Sequence, residues 1–166
     1  MKDHGKVFEA DVRKSLSVFD DVHVDRIHDS VTWGGHGMIG SPTPGDFWVF
    51  KRNGEQLSIV LLEAKATSTR RLDFSRVEDH QRDSLAEMDS FHRRSSGWIA
   101  VNFYDPNDIR HMNRCFMIPI VVWDEYAARG DRKSIALSSC EEDKRIIERP
   151  RVKGSIFNMS AWLKVV

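Results

Sequence analysis

The run Ile59-Val60-Leu61-Leu62 ends abruptly in Glu63-Ala64-Lys65. Four apolar residues in succession, with no polar alternation, describe a strand covered on both faces, so the chain must place layers on each side of a sheet. Residues two apart on a strand point to the same side. Glu63 and Lys65 therefore stand next to each other where that strand leaves the core. A second acid, Asp46, opens the preceding apolar stretch Phe47-Trp48-Val49-Phe50. Between the two stretches, Lys51-Arg52-Asn53-Gly54 carries an Asn-Gly pair, which favours a two-residue hairpin turn. Arms of similar length bring Asp46 back to the level of Glu63 and Lys65. Polar groups directly after a core run are costly to bury unless paired or ligated. Two carboxylates and an ammonium at one rim of a sheet have the make-up of a metal site; the plainer alternative is a solvated strand end.

The flanking segments extend this frame. Residues 5–16 read as a helix, with Phe8, Val12 and Leu16 forming an apolar stripe. Glu9 lies at the edge of that stripe. It either pairs with Arg13 one turn on, as surface Glu/Arg pairs do, or leans over the sheet edge to join Asp46 and Glu63. Val22 to Ile27 alternates and predicts a first strand. Val31 to Pro44, rich in Gly, Ser and Pro, reads as a loop whose Trp33, His36 and Met38 either touch a ligand or cover the core. Beyond Lys65, Ser75 and Glu78 fit a capping box. The helix they open carries Val77, Gln81, Leu85, Met88 and Phe91 on one stripe and stops near Arg93 to Gly97. Gln81 on that stripe needs a partner: either a structural one, or the metal site and a scissile phosphate. Trp98–Phe103 and Cys115–Val122 are predicted strands, Asp124 is predicted to cap a short helix, and 158–166 is predicted as a terminal helix. Residues 131–149 are too densely charged to assign. The order gives an α/β domain with a central mixed sheet.

At 166 residues, 40% hydrophobic and 30% charged, the chain fits a single domain spanning 1–166. No apolar stretch reaches the length of a membrane span, and the first residues are too polar for a secretion signal. Cys115 and Cys140 form neither a disulfide framework nor a zinc pattern, so a reducing, cytoplasmic compartment with both thiols free is the expectation. Twenty-five basic residues balance 25 acidic ones. Binding to nucleic acid therefore has to come from a local basic face. Lys6, Arg70, Arg71, Arg76, Arg82, Arg93 and Arg94 are candidates, with Thr67 and Ser68 adding hydroxyls for phosphate.

The segments Gly5-Lys6-Val7-Phe8-Glu9, Gly45-Asp46-Phe47, Leu62-Glu63-Ala64-Lys65 and Asp79-His80-Gln81, in that order, resemble the PD-(D/E)XK nuclease superfamily, and within it the RecU-like Holliday junction resolvases. The resemblance covers roughly residues 5 to 105. It implies a restriction-endonuclease-like fold, hydrolysis of a DNA phosphodiester and a divalent cofactor, Mg2+ with Mn2+ able to substitute. On this basis Glu9, Asp46, Glu63, Lys65 and Gln81 are the expected catalytic residues. Asp46, Glu63, the Ala64 carbonyl and Glu9 are the expected metal ligands, and Lys6, Thr67, Ser68, Arg70, Arg71 and Arg76 the expected DNA contacts. A four-way junction is the expected substrate, and paired cuts in opposed strands imply a homodimer. Two departures matter. Gly45 stands where the family has a proline next to its first acid, and Val31–Pro44 is short where RecU-like enzymes carry a stalk. The alternatives are a restriction- or repair-type nuclease acting on linear or damaged DNA, a catalytically inert DNA-binding module of the same fold, and an unrelated metal-dependent hydrolase acting on small molecules.

Overall fold

A computed structural model describes residues 3–28, 30–34, 37–107, 113–153 and 156–166, with backbone alone for 30–34 and 37–41. In chain order these form α1 (His4–Leu16), β1 (Val22–Arg26), β2 (Ser30–Gly34), β3 (Gly37–Ser41), β4 (Phe47–Asn53), β5 (Gln56–Thr67) and β6 (Arg71–Asp73). A 3-10 turn (Phe74–Arg76) then leads into α2 (Asp79–Phe91), β7 (Ser95–Tyr104), β8 (Asn113–Pro119) and α3 (Ile120–Ala128). The rest comprises β9 (Ser134–Ala136), α4 (Leu137–Glu142), β10 (Ile147–Arg149), β11 (Arg151–Lys153), β12 (Ile156–Phe157) and α5 (Ser160–Leu163). Six strands make the central sheet in the order β1-β4-β5-β7-β8-β10. Its pairings are antiparallel except β5 with β7, which α2 joins as a parallel crossover. The expected α/β domain with a central mixed sheet is what the chain forms. Among the described residues no helix is long and apolar enough to cross a membrane.

The apolar run of β5 serves two cores, as its lack of alternation requires. Val60 and Leu62 join Phe8, Val12 and Leu16 of α1, together with Trp162 and Leu163 of α5. Leu61, on the opposite face, packs with Leu85 of α2, Ile99 and Val101 of β7 and Trp123 of α3. Buried Ser15 ties α1 to the C-terminal segment: its hydroxyl donates to Asp11 O at 2.6 Å and accepts the Phe157 N–H at 2.8 Å. The buried Lys51 ammonium donates to the Leu163 carbonyl.

Several local expectations shift. The hairpin turn is Gly54-Glu55, one residue later than Asn53-Gly54, because Asn53 pairs with Gln56 in the ladder. Gly54 has φ +62°, and among the described residues positive φ occurs only at Gly54 and Gly130. Glycine at the first loop position followed by a residue of negative φ is the II′ pattern that suits strand twist. Val31–Pro44 is no loop: most of it forms the β2–β3 hairpin, a two-stranded sheet of its own. Of its proposed contacts, His36 and the side chains of Trp33 and Met38 lie outside the described residues. Ser75 falls in the 3-10 turn, and Glu78 is the N-cap of α2. Phe91, assigned to the buried stripe, is 78% exposed. Residues 120–122 begin α3, so Asp124 is inside a helix; it accepts Arg82 Nε at 2.7 Å.

Ser95 to Gly97, expected to end a helix, instead opens β7. Glycine is needed there for proximity. A Cβ on Gly97 would sit 2.1 Å from the Leu85 carbonyl oxygen and 2.6 Å from its carbon. The backbone of α2 thus rests on β7, and the Gly97 amide is spent on the Asp89 carboxyl. Gly97→Ala has to push helix from sheet and is expected to cost about 3 kcal/mol. Gly54→Ala, with nothing within 4 Å but a left-handed backbone, is expected to cost about 1 kcal/mol. Urea unfolding of the two variants against the native chain checks both the size and the order of these losses.

Candidate functional site

The β4–β5 register sets Phe47 opposite Leu62, so Asp46 arrives just beyond Leu62 on the neighbouring strand. Its backbone is held on both sides: Asp46 N–H donates to Leu62 O at 3.0 Å, and Ile27 N–H donates to Asp46 O at 2.9 Å. Its side chain turns along β5, where Oδ2 accepts the Ala64 N–H at 2.8 Å. Glu63 follows Leu62 on β5, 1% exposed. The hairpin therefore does bring Asp46 to Glu63, and their carboxyls lie within hydrogen-bonding range of each other. Glu63 Oε1 takes the Lys65 ammonium at 2.5 Å and the Gln81 amide nitrogen at 3.0 Å. Glu63 Oε2 is buried with no donor.

Gln81 finds partners at both ends of its amide. Standing in the first turn of α2, its Oε1 accepts the Glu78 N–H at 3.2 Å and so closes the start of the helix. The same oxygen is 3.4 Å from Lys65 Nζ, while Nε2 faces Glu63. One amide thus fixes the helix, the acid and the ammonium together.

Glu9 reaches the rim but does not pair with Arg13. Its Oε2 takes Arg26 Nη2 at 2.5 Å. Arg26 is the residue that sequence reasoning missed. It ends β1 on the stripe of Val22 and Val24, which both pack with the α1 core; a cation continuing an apolar stripe was the available signal. Among the described residues no three His, Cys, Asp or Glu side chains converge as a ligand cluster, and the near pair is Asp46 with Glu63.

The electrostatics follow from crowding acids out of water. Burial is the main cause that raises the Asp46 carboxyl, against the Ala64 N–H and the cations Lys65 and Arg26. Glu63 is pushed up to about 7, first by burial and then by the charge of Asp46, with Lys65 opposing. Glu9 is raised by burial and by Asp46, with Arg26 lowering it. Two carboxylates this close need either a shared proton or a cation. An orphaned buried oxygen on Glu63 beside Asp46 fits a hard divalent ion, which accepts one or two carboxylates and completes its shell with carbonyl, water and phosphate oxygen.

At the end of β5, starting one residue past Lys65, lies an open groove of about 1190 Å³ lined in part by Ala66, Thr67, Ser68, Arg70, Arg71 and Arg76. Five of the six expected DNA contacts thus share one surface, but Thr67 is buried and its hydroxyl is spent within the loop, donating to Arg71 O at 3.1 Å and accepting the Thr69 N–H at 3.3 Å. Lys6 is exposed on the first turn of α1, next to groove-lining Gly5. Arg71 is partly engaged, its Nε donating to Ser134 Oγ at 2.9 Å. The wider set of cations is narrowed: Arg82 is held by Asp124, and Arg94 lines an apolar cavity with Phe50, Leu57 and Phe91 at the opposite end of β5.

No protein-family model and no curated protein matches the chain.

A carboxyl raised on folding favours the folded state while it is protonated. That advantage is complete below the unfolded value near 4.5 and is lost as pH rises through about 7. In chelator, the unfolding free energy of the native chain is therefore expected to fall between pH 5 and pH 8 by about 2–3 kcal/mol more than that of Glu63→Gln. Urea titrations at a series of pH values check this; parallel profiles for the two proteins would show that Glu63 is not the strained acid.

Proposed function

We propose that the chain is a metal-dependent DNA endonuclease of the Holliday junction resolvase type, related to the RecU-like branch of the PD-(D/E)XK nucleases. The observation that carries the reading is the contact of Asp46 with Glu63, with Lys65 2.5 Å from Glu63 and Gln81 joining both. A helix, three antiparallel strands, a second helix and a strand parallel to the third of them support a restriction-endonuclease-like core. Asp46 immediately precedes the second of those strands and Glu63 stands on the third. The groove with Arg70, Arg71 and Arg76 favours a phosphodiester polymer over a small molecule held in a closed pocket.

Asp46 and Glu63 would hold Mg2+ or Mn2+, with the Ala64 carbonyl as a further oxygen. Such a cation, when bound, supplies Lewis-acid stabilisation of the phosphate and lowers the pKa of water. The reaction adds a water oxygen to phosphorus and breaks one P–O ester bond, the departing oxygen taking up a proton. Lys65, beside the acids, orients the attacking water and offsets negative charge gathering on phosphate oxygens. Gln81 keeps Lys65 and Glu63 in register. Glu9 orients water from the α1 side, with Arg26 holding its carboxylate. Ser68, Arg70, Arg71, Arg76 and Lys6 position the backbone without reading sequence, while Thr67 braces the loop that carries Arg70 and Arg71. The β2–β3 hairpin, which ends at Ser41 shortly before Asp46, would correspond to the RecU-like stalk in shorter form.

Opposed nicks in a junction require two such sites related by a two-fold axis, hence a homodimer. The exposed apolar face of Leu57 and Phe91 supports self-association, and light scattering reads it directly.

Native protein incubated in Mg2+ with a four-way junction and with a matched linear duplex is expected to nick the junction symmetrically and spare the duplex. Equal cutting of both would leave a nuclease without junction selectivity. Asp46→Asn and Glu63→Gln are each expected to slow cleavage about a thousandfold, the scale of ~4 kcal/mol at the transition state, while junction binding in a gel-shift assay persists. A retained rate in either variant removes the site assignment.

A further inference from the structure

Two rings in the groove are unused by the chemistry above. His4, at the start of α1, and Tyr104, at the end of β7, line the same groove as Thr67, Arg70, Arg71 and Arg76. Their centroids are 4.5 Å apart with planes 25° from parallel, a stacked pair. Both are partly exposed. The groove takes in Thr67, two residues past Lys65 on the same face of β5, so the rings lie off the end of the strand that carries Glu63 and Lys65. Among the described residues the side chains of Arg70 and Arg76 have no partner, which leaves two guanidiniums to meet phosphate.

Cations alone grip any nucleic acid, and they do so without regard to pairing. Stacked rings add a selection. In duplex DNA each base has both faces covered by its neighbours, so it has none to offer a protein ring. An unpaired base has one, and stacking on an aromatic side chain is how single strands are held regardless of sequence. His4 and Tyr104 are already face to face, so an incoming base extends a stack that the protein has begun.

We propose that this groove is a subsite for an unpaired nucleotide of the bound strand, with the base on the His4–Tyr104 stack and the backbone on Arg70, Arg71 and Arg76. The proposal rests on the nuclease reading for DNA as its ligand. It makes the preferred substrate a branch point or strand end at which a base has left the helix.

The test uses the full chain carrying Asp46→Asn, in Mg2+, so that binding is read without cutting. The probes are a short single strand containing one fluorescent adenine analogue and a blunt duplex of the same sequence. The single strand is expected to bind with its fluorescence quenched by stacking. Tyr104→Leu is expected to weaken single-strand binding about tenfold and to abolish the quench, Tyr104→Phe to preserve both, and duplex affinity to stay the same throughout. Should Tyr104→Leu fail to fold, His4→Ala on the exposed first turn of α1 is expected to weaken the single strand alone. Unchanged single-strand affinity, or equal loss on both probes, overturns the subsite. A native chain that binds and quenches the single strand but never cuts a junction keeps the groove and loses the nuclease reading. One that cuts but never quenches does the reverse.

Discussion

Two carboxylates are forced together at the place where β5 leaves the core, and the site is organised around holding them there. Asp46 is fixed by the β4–β5 ladder and by the Ala64 amide; Glu63 is fixed by Lys65 and Gln81. Neither acid has water enough to spread its charge, and each raises the cost of ionising the other. A fold seeking stability alone would place an aliphatic pair here. Keeping both acids is the kind of local conflict that accompanies a site with work to do.

The surrounding architecture resists relaxation of that conflict. β5 is clamped between β4 and β7, with α1 on one face and α2 on the other. The contact of Gly97 with Leu85 brings α2 down onto β7, and this depth lets a side chain as short as Gln81 reach across to β5. The C-terminal segment secures the α1 face through Ser15 and Lys51, and α1 in turn carries Glu9 to the rim. Distant packing and local chemistry are therefore joined through two or three rigid elements.

The chain displayed the centre of this arrangement more openly than its edges. Glu63 and Lys65 were legible because a strand has period two, and Asp46 because a tight turn with equal arms returns the chain to its own level. Arg26 was hidden because its partner Glu9 is seventeen positions away on a helix, a distance that no local period encodes. Ile120 to Val122 read as strand on β-branched propensity; packing of α3 against the α2 side of the sheet overrode it. Residues 134–149 resolve into β9, α4 and β10, of three, six and three residues, each too short to establish a period. Gly97 looked like a helix terminator, since a sequence does not distinguish a glycine required for its dihedral angles from one required for its missing side chain.

The double duty of Gln81 also bears on motion. Helix termini are the parts of a helix that open most readily, on a far shorter timescale than global unfolding. Because the amide that closes the first turn of α2 is also the one that grips Glu63, each fraying of that turn loosens its hold on Glu63 and Lys65, which remain paired to each other. The looseness of a few backbone amides thus sets how often this rim can rearrange around whatever enters it.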